Sequence, residues 1–222
     1  MSPKTANPAL RMALLETAAR LIAEEGSPGL SLRRLAADVG TSTMAIYTHF
    51  GGMTELRQAV RREGFARLAD HLAQGGTTAD PVTDLGMLGW RYYLNATTNP
   101  HLYRAMFMEH DDTCEPDIGM GTFQTLVDGV DRCIRAGRFH QADPVDLAMQ
   151  LWSSSHGIVA LQLAALITAD QALATSAAIN ANLLIAFGDD PAAAAKSMKT
   201  VGRRARLDLD SAATGQSASA SA

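Results

Sequence analysis

Six side chains in one short stretch carry groups suited to reading a nucleic acid: Ser42, Thr43, Met44, Tyr47, Thr48 and His49. Thr43 can hydrogen-bond a base edge or touch a thymine methyl, and Met44 offers apolar contact alone. Tyr47, Thr48 and His49 suit phosphate, as do Arg33 and Arg34 just upstream. No acid stands among the six to repel a phosphate backbone.

The elements that must hold them are two short helices with a tight break. Leu32, Leu35, Ala36 and Val39 recur at i, i+3, i+4 and i+7, giving the first helix one apolar face. Ser31 can accept the free N–H groups at its start. Gly40 follows the last apolar residue, where a left-handed closing residue is needed. Thr41 or Ser42 can cap the second helix, on which Ile46 and Phe50 sit four apart and pack back on the first. The pattern is a helix-turn-helix with the second helix free to enter a major groove.

Upstream, residues 9–25 form a bracing helix with Leu14, Leu15, Ala18, Leu21 and Ile22 on one side, closed by Gly26. That helix, the LxxLAxxVG run and the step to Y-x-H-F resemble the TetR family of one-component repressors across residues 11–59. The resemblance implies an operator-binding head at residues 1–52, a linking helix at 53–76 and a ligand-binding, dimerising body at 77–188. In that family the last two body helices pair two protomers. HLYRAMF, AGRF-x-x-ADP and LW-x-x-x-HG further resemble a subgroup marked by Trp, His and Gly in its C-terminal domain. One position departs from the family pattern. Relatives carry Lys shortly after the Phe, gripping phosphate, where this chain has Met53. Losing one charged contact lowers the salt slope by about one unit. Backbone N–H groups at the start of the next helix, or Arg57 one turn on, are the expected substitutes.

Composition sets the class. The chain has 222 residues, 47% hydrophobic and 19% charged, which fits a globular protein with a substantial core. Its net charge of −4 excludes a uniformly basic nucleic-acid binder. Residues 1–74 nevertheless hold nine Lys/Arg against seven Asp/Glu, and the remainder ten against sixteen. The basic excess therefore lies with the helix-turn-helix. Acidic, basic or amide residues interrupt every apolar run, so no membrane-spanning helix is expected. The N-terminal residues lack an apolar signal core, and a cytoplasmic location is expected. Cys114 and Cys133, 19 positions apart and outside any CxxC, read as free thiols.

Beyond a Gly75-Gly76 break, helices are expected over 84–95, 101–110, 118–139, 144–167 and 171–187. No strand alternation occurs, so the class is all-α. Residues 189–222, rich in Ala, Ser and charge, are expected to form a disordered tail. Its basic cluster, Lys196, Lys199, Arg203, Arg204 and Arg206, could add non-specific DNA affinity. Trp90, Tyr93, Met106, Phe107, His110, Met120, Phe123, Met149, Trp152 and His156 are candidate liners of a pocket for a mostly apolar ligand. Each would equally serve an ordinary helical core. Leu161, Ala164, Ala165, Leu183, Leu184 and Phe187 are candidates for a symmetric four-helix dimer interface. His101, His110, Asp111 and Asp112 raise a metal site without fixing its geometry. No cofactor is expected.

Three functions follow. The first is a homodimeric, ligand-responsive regulator, chiefly a repressor, on a palindromic double-stranded operator. The second is a helical ligand-binding protein without DNA binding. The third is a small all-α enzyme using His110 or His156, although no nucleophile or paired carboxylates accompany either.

Overall fold

The computed structural model describes residues 7–108 and 118–219, with side chains described as far as 211. All regular structure among these residues is helical. No helix there is long and apolar enough to cross a membrane. The chain divides into two compact units, Met1–Asp70 with Asn95–Gly121, and His71–Leu94 with Thr122–Ala222.

The first unit opens with α1 (Pro8–Glu25), whose start is capped by the Asn7 side chain and set by Pro8 at the first turn. A 3-10 turn, Ser27–Gly29, leads to α2 (Leu32–Val39). The Ser31 hydroxyl accepts from the Arg34 N–H at 3.2 Å. Gly40 ends the helix at φ 73°, the left-handed conformation that glycine adopts without Cβ strain. Ser42 caps α3 (Thr43–Phe50) by accepting from the Ala45 N–H at 3.2 Å. α4 (Met53–Ala73) follows as one uninterrupted helix that leaves this unit at Asp70. Leu14, Leu15, Leu21, Leu35, Ile46, Leu56 and Val60 are all buried in a single core.

α6 (Pro100–Phe107) belongs to this unit, although the sequence reading assigns residues 77–188 to a separate body. Its Leu102 and Ala105 lie inside the same core as α1. An apolar stripe shows that a helix packs on something, without showing which core receives it.

The second unit contains α5 (Pro81–Thr98) up to Leu94, α7 (Met120–Arg135) from Thr122, α8 (Pro144–Leu163), α9 (Ala169–Ala186) and α10 (Pro191–Ser219). Val82, Val130, Cys133, Phe139, Ala148, Leu184 and Phe187 form its main core. α9 starts at a full capping box between Thr168 and Gln171. α7 stops at Arg135, short of the expected 139, and Gly137 turns the chain at φ 69°.

The expected tail is corrected here: residues 191–219 are α10. Asp190 accepts from the Ala193 N–H at 2.8 Å, Pro191 occupies the first turn, and the alanines that follow are strong helix formers. Ala194, Ser197 and Val201 are buried, a stripe too small-sided to register as apolar periodicity.

Candidate functional site

The outer face of α3 is bare. Met44 is 70% exposed and Tyr47 50%, while Ile46 between them is fully buried. Ser42 and Thr48 are exposed, and Thr41, Thr43 and His49 are half-buried. Two hydroxyls are already committed to the helix: Ser42 as its cap, and Thr48, which donates to the Met44 carbonyl at 2.9 Å. The His49 ring tilts against Phe50, with centroids 6.1 Å apart, and its Nδ1 is buried without a hydrogen-bond partner. Arg11 stacks over the other ring, 5.4 Å from the Phe50 centroid. These contacts fix the end of α3 against α1.

The cations around α3 divide by what they already hold. Arg33 is exposed. Arg34 pairs with Glu25 at 3.2 Å and with Asp38 at 3.3 Å, so it would reach phosphate only by exchanging those partners. Arg57, the expected stand-in for the absent lysine, instead donates to the Ser27 carbonyl at 2.7 Å. Met53 is half-buried and packs on the head core.

The pocket candidates do not come together as one set. Met106 and Phe107 lie in the first unit, where Phe107 packs on Phe65 and Tyr103 at 5.5 and 5.1 Å. Trp90 is buried with Met87 and Val201, and its indole N–H donates to Asp208 at 2.8 Å, so α10 packs on it. Tyr93 stacks on Trp90 at 5.7 Å. Met120 and Met149 are 57% and 43% exposed, outside any core. His110 lies outside the described residues.

What remains is a cluster on α5, α7 and α8. Trp152 meets Phe123 edge-on at 6.2 Å and His156 at 5.4 Å. The Tyr92 hydroxyl lies 3.1 Å from His156 Nδ1. Burial lowers the His156 pKa and favours the neutral imidazole. Tyr92 was not singled out from sequence, although Leu85 and Tyr92, seven apart and both buried, mark the inward face of α5.

A second unanticipated feature is a groove of about 350 Å³ in the first unit, bordered by Glu16, Arg20, Arg67, Asn99 and His101. Its charges satisfy one another. Arg67 donates to Glu63 at 2.9 Å, Glu16 at 3.1 Å and Asn99 at 2.9 Å. Among the described residues no group of His, Cys, Asp and Glu is arranged to hold a metal. His110, Asp111 and Asp112, candidates with His101, fall outside them.

The interface candidates separate into two sets. Leu161 is 44% exposed, Ala164 and Ala165 are exposed, and Leu183 is half-buried. Ala165 closes α8 at φ 56°. Leu184 and Phe187 are 3% and 2% exposed and serve the body core, where Phe187 meets Phe139 edge-on at 5.4 Å. Those two cannot form an intermolecular surface. Leu173 and Ile185, on α9, are exposed instead.

Residues 14–60 match the family model for bacterial regulatory proteins of the tetR family, and residues 85–182 match a tetracyclin repressor-like C-terminal domain. The HTH-type transcriptional repressor AcnR of Corynebacterium efficiens is 41% identical over 66 residues, covering 30% of this chain and 35% of that protein. The chain thus matches about a third of the length of that curated relative. A Rhodococcus sp. RHA1 protein of unknown function shares the fold at a TM-score of 0.70 and 22% identity, covering 85% of this chain and all of that one. AibR, solved with isovaleryl coenzyme A and operator DNA, shares it at a TM-score of 0.58 and 21% identity, covering 68% of this chain and 85% of that one.

Proposed function

The chain belongs to the TetR family of bacterial regulatory proteins, and from that premise we propose that it is a homodimeric, ligand-responsive transcriptional repressor that binds a palindromic operator. One observation carries the reading: Met44 and Tyr47 stand out to solvent on the second helix of a helix-turn-helix while Ile46 is fully buried. Leaving a methionine and a tyrosine uncovered has a purpose when a duplex covers them. Met44 and Thr43 then face base edges at the helix start, and Tyr47 and Arg33 meet phosphate.

Dimerisation is part of the function, because half-sites about 34–36 Å apart need two heads. Leu161, Leu173 and Ile185 leave apolar surface uncovered on α8 and α9, which suits a symmetric interface. The effector site is the Phe123, Trp152, His156 and Tyr92 cluster. Its rings take an apolar body, and its phenol and imidazole offer a polar contact. Such a ligand acts through the difference in its affinity for two states of the body. α4 carries the response, since it is continuous from Met53 to Ala73. A repressor acting on the chromosome works in the cytoplasm.

AcnR, a relative in the head, is named as a repressor, and AibR, which shares the fold, binds operator DNA and an acyl-coenzyme A. A second reading, a helical ligand-binding protein without DNA binding, draws on Met53 and on the engagement of Arg57 by Ser27. Fluorescence anisotropy with the DNA upstream of the coding sequence separates the two. Saturable binding that weakens in Tyr47→Ala supports the regulator. Absence of binding at low salt to every upstream fragment overturns it.

A further inference from the structure

α10 lies wholly beyond residues 85–182, the span that matches the C-terminal family model. Its inner face makes polar attachments to both sides of the turn between α4 and α5. The Ser197 hydroxyl donates to Asp80 at 2.6 Å, and Arg204 donates to the Gly75 carbonyl at 3.0 Å. Further along, Asp208 accepts from the Trp90 indole at 2.8 Å and from Arg91 at 3.0 Å.

α5 is shaped to receive this helix. A Cβ at Gly86 would lie 2.6 Å from Val201 Cγ2, so the glycine allows the close approach. Three residues on, a Cβ at Gly89 would meet nothing within 4 Å. The outer face of α10 is basic. Lys196, Lys199, Arg203 and Arg206 are exposed there, spaced three and four apart, where like charges weaken an isolated helix. The helix therefore owes its order to the docked face. The Asp208 anchor is within reach of water, its side chain being 24% exposed.

We propose that α10 is a releasable strap that, when docked on α5, pins the 74–80 turn and with it the C-terminal end of α4. Released, it frees that end of the helix that leads to the head. The control role over DNA rests on the proposed regulatory function; the pinning of the turn does not.

The test is hydrogen–deuterium exchange on the full-length protein and four variants. Gly86→Ala blocks the docking face, and Asp208→Asn weakens the anchor without adding bulk. Gly89→Ala is the control on the same helix, and Gly86→Ala with Val201→Ala restores the space. In the first two, exchange in segments 74–80 and 198–208 rises at least tenfold together, while α8 keeps its protection. The control and the double variant behave like wild type. Faster exchange in α10 with a protected 74–80 turn overturns the proposal, as does unchanged exchange in α10. On upstream DNA, Gly86→Ala shifts Kd at least threefold; an equal Kd despite a released turn removes the control role. Wild-type protein that binds no DNA defeats the regulatory reading, and the exchange data still decide the strap.

Discussion

Gly64 on α4 and Met106 on α6 share one tightly filled volume: a Cβ at position 64 would lie 2.5 Å from the Met106 sulfur and 2.6 Å from its Cγ. Met106 is 2% exposed, so its side chain has no solvent to retreat into. Replacing Gly64 by alanine gains about 1 kcal/mol of helix propensity. Overpacking a filled core costs about 1–3 kcal/mol. The net expectation for Gly64→Ala is a loss of about 1 kcal/mol in urea unfolding. In a Met106→Ala background, where space has been opened, the same change becomes neutral or stabilising. Strict additivity of the two substitutions would show that the residues do not compete for this volume.

The face of α3 separates binding from stability. Met44→Ala and Tyr47→Ala, at exposed positions, are expected to weaken DNA binding about tenfold, roughly 1.4 kcal/mol, with an unchanged melting temperature. Ile46→Ala, next to Tyr47 in sequence but on the buried face, removes a fully buried side chain and should cost about 2–5 kcal/mol of stability. Anisotropy titrations paired with thermal melts read both effects. A Tyr47→Ala protein that melts early would place that ring in the fold rather than on a duplex.

Met53 is half-buried against the head core, at the place where the resemblance to the TetR family implies a phosphate-gripping lysine. Met53→Lys should tighten DNA binding at low salt and steepen the dependence of log K on log salt by about one unit. A salt series from 50 to 200 mM on the roughly logarithmic scale of such titrations measures the slope. An unchanged slope would mean that the new ammonium points away from the backbone.

Local signals in the sequence were decisive wherever structure is set locally. The Ser31 and Ser42 caps, the Gly40 left-handed closure and the inward Leu35 and Ile46 all follow from a few neighbouring residues. Contacts between distant segments were not legible. Trp90 reads as a pocket liner until Asp208, 118 positions away, takes its indole N–H. Arg57 reads as a phosphate ligand until the Ser27 carbonyl, 30 positions back, claims it. Leu184 lies on α9 and Phe187 at its C-terminal cap, in an apolar run whose periodicity does not say which side faces the chain's own core.

The uncovered apolar residues of α8 and α9 yield a test of assembly. Leu161→Asp and Ile185→Asp place a charge on exposed positions, so each protomer should fold with an unchanged helical circular dichroism spectrum. Sedimentation velocity should then show monomers for the variants and dimers for wild type. Leu184→Asp, by contrast, buries a charge in the body core and should unfold it. Dimers that persist in both exposed-site variants would move the interface elsewhere.

Arg138 donates to Asp189 at 2.6 and 2.7 Å, to Asp80 at 2.7 Å and to Ser197 at 3.2 Å, joining α10 to the turns before α5 and after α7 and α9. The Asp189 side chain is 1% exposed, so Arg138→Ala would strand a buried charge at a cost of about 3–5 kcal/mol. Burial by itself raises the Asp80 carboxyl, but hydrogen bonds from Ser197, Thr83 and the Val82 N–H, with the Arg138 charge, hold it below the ordinary carboxylate range. A depressed carboxyl pKa stabilises the fold above the unfolded value of about 3.9 and loses that stability as pH falls through the folded value. Burial also lowers His156, whose neutral form favours the fold above the unfolded pKa of about 6.5. Acidification below that value binds protons preferentially to the unfolded chain and erodes stability. Melting temperatures between pH 3 and 8 should therefore fall in two stages. His156→Gln should flatten the stage below pH 6.5, and Asp80→Asn, less stable throughout, should flatten the stage below pH 4. A His156→Gln profile parallel to wild type between pH 7 and 5 would show that this imidazole titrates alike in the folded and unfolded chains.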